Sequence, residues 1–177
     1  AVHHHLIRVG KRGHADVIVE AGDVREVHHF ATVLGYGAYA VYPYVALDTL
    51  AQMEQNNLLE GLTTEVATDK YIKAVNSGLL KIFSKMGIST LASYQGAQIF
   101  EILGISSEVV DTYFTGTISR IEGLSLDDIA HEAVAKHRKG FPTRGGAAKV
   151  LDPGGEYAWR KDGERHLFNP KTIRLLQ

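Results

Sequence analysis

The run Asp16-Val17-Ile18-Val19-Glu20, closed by Ala21-Gly22, decides the fold class. Three consecutive β-branched residues between small turn formers are the pattern of a short buried strand. Further on, Ala38-Tyr39-Ala40-Val41-Tyr42 repeats the pattern and is stopped by Pro43, which has no amide to donate to a ladder. Between them Asp23 is placed to cap a helix running through Arg25, Val27, Phe30, Ala31 and Leu34 and ending at Gly35 and Gly37. Ala46 to Gln55 reads as a second helix. Strand, helix, strand, helix in so short a span requires parallel pairing with right-handed crossovers. The fold class is therefore α/β, with parallel strand-helix units forming part of a layered or partial TIM-barrel-like domain.

Outward from that unit, Asn56 to Thr68 is polar and lacks a period, so it reads as a loop. Asp69 to Lys85 has helical spacing, with Tyr71, Ile72, Val75, Leu79, Ile82, Phe83 and Met86 on one face and four lysines away from it. Gly87 closes this helix. Ile88 to Ser93 reads as a third strand, Gly96 to Leu103 as a helix, and Ser106 as the cap of another helix reaching Phe114. Thr115 to Ile121 fits neither period. Ser125 to Arg138 is helical, with Asp127 and Asp128 where the helix dipole favours negative charge.

The character changes beyond Gly140. Pro142, Gly145, Gly146, Pro153 and Gly154 mark Phe141 to Gly155 as loop or linker, and Asp162-Gly163 suggests a small hairpin within Trp159 to Phe168. Asn169 and Pro170 then start a helix well, as cap and first helical residue. The predicted division is 1–140 and 141–177.

With 177 residues the chain can bury roughly 70% of its unfolded surface. Its apolar content of 45% and charged content of 22% are those of an ordinary globular protein. A formal charge of -1, without blocks of one sign, offers nothing to nucleic acid or an anionic membrane. No apolar window is long enough to span a bilayer, and the first residues lack the pattern of a signal peptide. The absence of cysteine removes disulfides, thiolate zinc sites and thiolate-held iron–sulfur clusters from these residues, and suits a reducing compartment.

Nine histidines invite a metal reading that their spacing refuses. Helical neighbours lie about 100° apart, so His3-His4-His5 cannot converge on one ion, and His28-His29 share the defect. One of the latter pair is expected to face the core of its helix with its ring hydrogen-bonded. His131-Glu132-Ala133-Val134-Ala135-Lys136-His137 puts Ala135 where a zinc-protease helix needs its second histidine. Thr143 to Lys149 lacks the frame of a phosphate-binding P-loop and reads as a mobile basic loop, and Gly35-Tyr36-Gly37 precedes a strand where a dinucleotide fingerprint must follow one. No catalytic, cofactor-binding or metal-binding residue is assigned. Ligands of parallel α/β folds collect at the carboxyl ends of strands, which puts Glu20, Tyr42, Tyr44, Ser93 and Gln95 on the rim, more as contacts to neighbouring domains than as chemistry.

Several stretches together resemble the large subunit of glutamate synthase. They are Ala1 to Arg8, Arg25-Glu26-Val27-His28-His29-Phe30-Ala31 with Gly35 to Ala38, and Lys70 to Val75. The longest runs Lys85-Met86-Gly87-Ile88-Ser89-Thr90-Leu91-Ala92-Ser93-Tyr94-Gln95-Gly96-Ala97-Gln98-Ile99-Phe100-Glu101. Tyr113 to Thr117, Ser119 to Ile121, Gly155 to Tyr157 with Trp159-Arg160, and His166 to Pro170 extend it nearly to the end. Tyr42, Gln95 and Glu122 depart from the family pattern, which expects Asn, Arg and Gly there.

The resemblance implies a parent oxidoreductase that makes two glutamates from glutamine and 2-oxoglutarate. A glutaminase domain releases ammonia, which travels internally to an FMN-containing synthase barrel fed through an iron–sulfur cluster. Residues 1–140 would end the central domain, and 141–177 would lead into the FMN domain. The implied partners are the neighbouring glutaminase and FMN domains, and the implied location is cytoplasmic, or plastid in a photosynthetic eukaryote. An internal ammonia path needs dry, rigid packing, so the expected role is scaffolding and coupling, with the isolated chain inactive. The missing initiator Met, an opening stretch Ala1 to Arg8 that reads as helix or strand with no capping residue before it, and a last helix of about two turns fit an excised segment. The alternative is an independent α/β module binding a flavin or phosphate ligand at the strand rim.

Overall fold

The computed structural model describes residues 1–142, 154–155 and 158–177, in two compact units, Ala1–Ser125 and Leu126–Gln177. The basic stretch Thr143 to Lys149, and most of the predicted linker, lie outside the described residues.

In the first unit α1 (Val2–Arg8) and a 3-10 turn (Arg12–His14) precede β1 (Ile18–Glu20). The connection α2 (Val27–Gly35) leads to β2 (Ala40–Tyr42), and the two strands pair in parallel with Ile18 opposite Ala40 and Glu20 opposite Tyr42. Parallel pairing through a helical crossover is as predicted. Burial is not, because Ile18 is 70% exposed and only Val19 and Val41 pack on the core. The cap of α2 also differs: Glu26 forms a capping box with His29, whose Nδ1 accepts from the amides of Arg25 and Glu26 at 3.2 Å each, while Asp23 stays exposed. A ring nitrogen offered to both orphan amides displaces the carboxylate expected to serve them.

Pro43 immediately precedes α3 (Tyr44–Gln55). The following helix, α4 (Thr64–Met86), starts five residues before the predicted Asp69 and cuts the loop to residues 56–63. Thr63 caps it through its hydroxyl, which accepts from the Val66 amide at 3.4 Å, and a Glu54 carboxylate oxygen accepts from the Thr64 amide at 2.7 Å. Gly87, at φ 69°, ends it in the left-handed conformation that suits glycine. Val75 and Leu79 of α4 join Phe30, Ala31 and Leu34 of α2 in the core. Helix α4 comes so close to α2 that a β-carbon on Gly78 would lie 2.6 Å from a methyl of Val27.

The predicted third strand is instead α5 (Leu91–Tyr94), set by Thr90, whose Oγ1 accepts from the Ser93 amide at 3.2 Å. Hydroxyl caps of this kind draw a short apolar run away from a ladder. The helix predicted from Gly96 is the strand β3 (Glu101–Ile105) after an irregular approach. Gly96 and Gln98 both take positive φ, 73° and 52°, which no helix start accommodates. After α6 (Ser107–Tyr113), β4 (Ile118–Leu124) resolves the stretch of unclear period and pairs with β3 in parallel. Two register shifts interrupt this ladder, and Gly104 at φ 76° sits within them. Ser106 occupies the predicted cap position without a side-chain cap bond, while the neighbouring Ser107 hydroxyl donates to the Glu122 carboxylate. The class is thus mixed α/β with short parallel sheets. The described strands form two separate pairs, β1-β2 and β3-β4, and do not close into a barrel.

In the second unit α7 (Leu126–Gly140) carries Asp127 and Asp128 in its first turn and His137, Arg138 and Lys139 in its last. Both clusters match the helix dipole. Asp162, at φ 62°, and Gly163 form a turn in which the Gly163 amide donates to Arg160 O at 3.1 Å. The predicted hairpin has the turn without strands on either side. Helix α8 (Pro170–Leu176) is as expected: Asn169 Oδ1 accepts from the Lys171 and Thr172 amides at 3.0 and 3.1 Å.

Candidate functional site

The carboxyl end of the β1-β2 pair brings together three of the five predicted rim residues. Glu20 and Tyr42 face each other in register, and the Ala21 amide extends the ladder by donating to Tyr42 O at 3.1 Å. Tyr44 follows in the first turn of α3, and its hydroxyl crowds Gly22, where a β-carbon would lie 3.1 Å away. All three are exposed. Ser93 and Gln95 do not belong to this rim, because the strand expected to carry them is α5. Gln95 Nε2 donates to Ala38 O at 2.6 Å, which fixes it near the amino end of β2. The exposed Ser93 receives the Thr90 hydroxyl at 2.8 Å. One carboxylate and two phenols form no nucleophile–base pair and offer no cation to a phosphate.

Beside the rim lies an open cavity of about 790 Å³, between β2, α3 and α4. Phe30, Val41, Tyr42, Leu47, Ile72 and Leu80 contribute to a lining without a charged residue. Such a surface buries apolar groups and supplies no acid or base. The sequence carried a signal for it: Ile72 belongs to the predicted apolar face, and Leu80, which the helical-face reading passed over, widens that stripe beyond what α2 covers; they remain 47% and 67% exposed.

A second constellation lies at α1. The Arg12 guanidinium reaches His3 Nδ1 at 3.1 Å, Ala15 O at 2.8 Å and Gly37 O at 3.2 Å. Burial, then Arg12, then His4 and the terminal ammonium hold His3 below the ordinary histidine value. Of the His28-His29 pair, His29 is the half-buried, hydrogen-bonded one and caps α2, while His28 is exposed. Among the described residues no three His, Cys, Asp or Glu side chains group to hold a metal ion. No described helix is long and apolar enough to cross a membrane. Inside the core, Tyr94 is fully buried against Phe83, its hydroxyl without a partner among the described residues, and burial raises its phenol above the ordinary range.

A family model for the glutamate synthase central domain matches residues 1–106, which include β1, β2 and β3 with the helices α1 to α5. The chain belongs to the glutamate synthase central domain family. Similarity to complete glutamate synthases continues through the remaining residues. The chain is 49% identical over 177 residues to the NADPH glutamate synthase large chain of Bacillus subtilis, covering 100% of this chain and 11% of that protein. It is 47% identical to the NADH glutamate synthase of Schizosaccharomyces pombe, covering 100% of this chain and 8% of the relative. To the ferredoxin-dependent glutamate synthase 1 of Arabidopsis thaliana, named chloroplastic/mitochondrial, it is 44% identical over 99% of this chain and 11% of the relative. The chain thus spans about a tenth of the length of the relatives it matches. The relatives that align along it differ in name, as NADPH, NADH and ferredoxin-dependent glutamate synthases.

Proposed function

We propose that this chain acts within a glutamate synthase as a scaffold coupling the glutaminase and FMN sites. On this reading the parent enzyme converts glutamine and 2-oxoglutarate reductively into two glutamates, and these residues position its active domains without contributing to either active site. The layered α/β elements would then be one part of a larger body. Residues 1–140 would close the central domain and 141–177 lead toward the FMN domain, in a cytoplasmic or plastid enzyme.

The observation that carries the reading is the uncovered apolar surface of a chain so much shorter than its relatives: the groove along β2 and α4, with Leu80 at 67% exposure, is a face suited to a neighbouring domain. The chemistry of the side chains supports it. A cluster held by thiolates has no cysteine to bind here, and the Glu20 carboxylate repels an FMN phosphate, so the β1-β2 rim fits neither group.

Substituting Leu80→Glu in a complete glutamate synthase tests the coupling. Glutamine hydrolysis should persist while glutamate formation per glutamine consumed falls severalfold, and an unchanged ratio contradicts the proposal. Glutamine-dependent glutamate formation by the 177-residue chain alone, or a flavin spectrum in the purified chain, would favour an independent module.

A further inference from the structure

We infer that His3 is an acid-sensitive latch, whose neutral imidazole holds α1 against the glycine turns at Gly37 and Gly96 and whose protonation releases it. The contact depends on those two glycines. A β-carbon on Gly37 would overlap the imidazole, and one on Gly96 would lie 3.0 Å from Nε2, so the ring rests on bare backbone at both turns. Both glycines have positive φ, 104° and 73°, and the Gly96 amide donates to Gly35 O at 2.8 Å. His3 therefore bears on the point where the end of α2 meets the segment leading to β3.

Arg12 sets the charge state that this contact tolerates. A guanidinium Nε only donates, so the ring nitrogen 3.1 Å from it must be the acceptor, and the proton of the neutral ring is on Nε2. Protonating Nδ1 would turn two donors toward each other, both on cations. The other ionisable groups nearby cannot offset this. His4 stands edge-on at 5.3 Å and the Ala1 ammonium lies on the same helix, while the turns and strands against the ring contribute the neutral Tyr36, Gln98, Thr115 and Thr117. Arg12 itself is held in place by two carbonyls.

The direction of the pH dependence follows. A histidine depressed in the folded state binds its proton more readily when unfolded, so the attachment of α1 is complete above the ordinary histidine value near 6.5 and weakens as pH falls below it. Helix α4, whose buried face holds no ionisable partner of His3, should not respond.

Amide hydrogen exchange of the 177-residue chain, corrected for the intrinsic effect of pH, tests the latch. From about pH 7.5 to about pH 5, protection of the His5 and Val9 amides should fall at least about threefold while that of α4 stays level. His3→Asn retains an acceptor near Nδ1 but cannot titrate, and should abolish the fall. Protection that is flat in the unmodified chain, or that falls equally in His3→Asn, overturns the inference. Should His3→Asn not fold, Arg12→Gln decides: the NMR titration midpoint of His3 must move upward, and an unmoved midpoint overturns the inference as well.

Discussion

Glu54 joins two helices through a single oxygen. Its Oε2 accepts from both the hydroxyl and the amide of Thr64, which ties the end of α3 to the first turn of α4. Those two bonds, the hydroxyl first, hold the carboxyl below its ordinary value of 4.5 against a small opposing effect of desolvation. A carboxylate depressed in the folded state stabilises above that ordinary value and loses its contribution as pH falls through the folded one. Glu54→Gln should therefore lower the urea midpoint at neutral pH, with the gap to the unmodified chain closing in acid; a gap that persists there would mean the oxygen acts sterically. At Gly123 backbone meets backbone, since a β-carbon would come 2.5 Å from Gly104 O. Carbonyls in a ladder yield less readily than side-chain tips, so Gly123→Ala should cost about 1–3 kcal/mol in denaturant unfolding, and a neutral result would show that the register shifts absorb the methyl. Neither contact was legible in advance. Glu54 and Thr64 belong to different helices, and the glycines meet only because β3 and β4 pair in parallel.

Among the elements, α4 gives the sharpest test of the periodicity argument. Its predicted apolar face is buried at Val75 and Leu79 but open at Ile72 and Met86, 47% and 45% exposed. Leu79→Ala should cost about 2–5 kcal/mol and Met86→Ala less than about 1 kcal/mol, measured by urea denaturation; equal costs would mean that the helix is buried differently. In α8, where seven residues leave little margin, Asn169→Ala removes the acceptor of two amides at a cost of about 1 kcal/mol. Exchange of the α8 amides should accelerate accordingly, and unchanged exchange would show that Pro170 alone sets the helix start. Long or well-capped elements were legible in this way because their signals are local and repeated. The exchange of strand and helix between residues 88 and 105 was not. There the apolar runs are too short for period to decide, and Thr90, Gly96 and Gln98 decide through caps and positive φ.

At the scale of the whole molecule, the first unit leaves large apolar side chains open on several of its elements. On β4 alone Ile118 and Ile121 are 58% and 59% exposed. Within the proposed scaffold such residues are covered by another part of the parent, so Ile121→Lys should change the stability of the isolated chain by no more than about 0.5 kcal/mol while reducing glutamate formation by a complete glutamate synthase. Loss of stability in the chain, or full activity in the complete enzyme, contradicts that placement. The amino-acid sequence by itself determined the class, the parallel β1-β2 pair with its helical crossover, the long amphipathic helix and the family, because β-branched runs, a 3.6-residue period and shared motifs are properties of neighbouring residues. Tertiary structure alone decided that β3-β4 is a second, separate sheet, that Gln95 serves the amino end of β2 rather than the rim, that α4 keeps an open groove, and that Arg12 meets His3. Each of these depends on which surfaces come into contact once the chain has folded, and contact between residues distant along a chain leaves no period in its sequence.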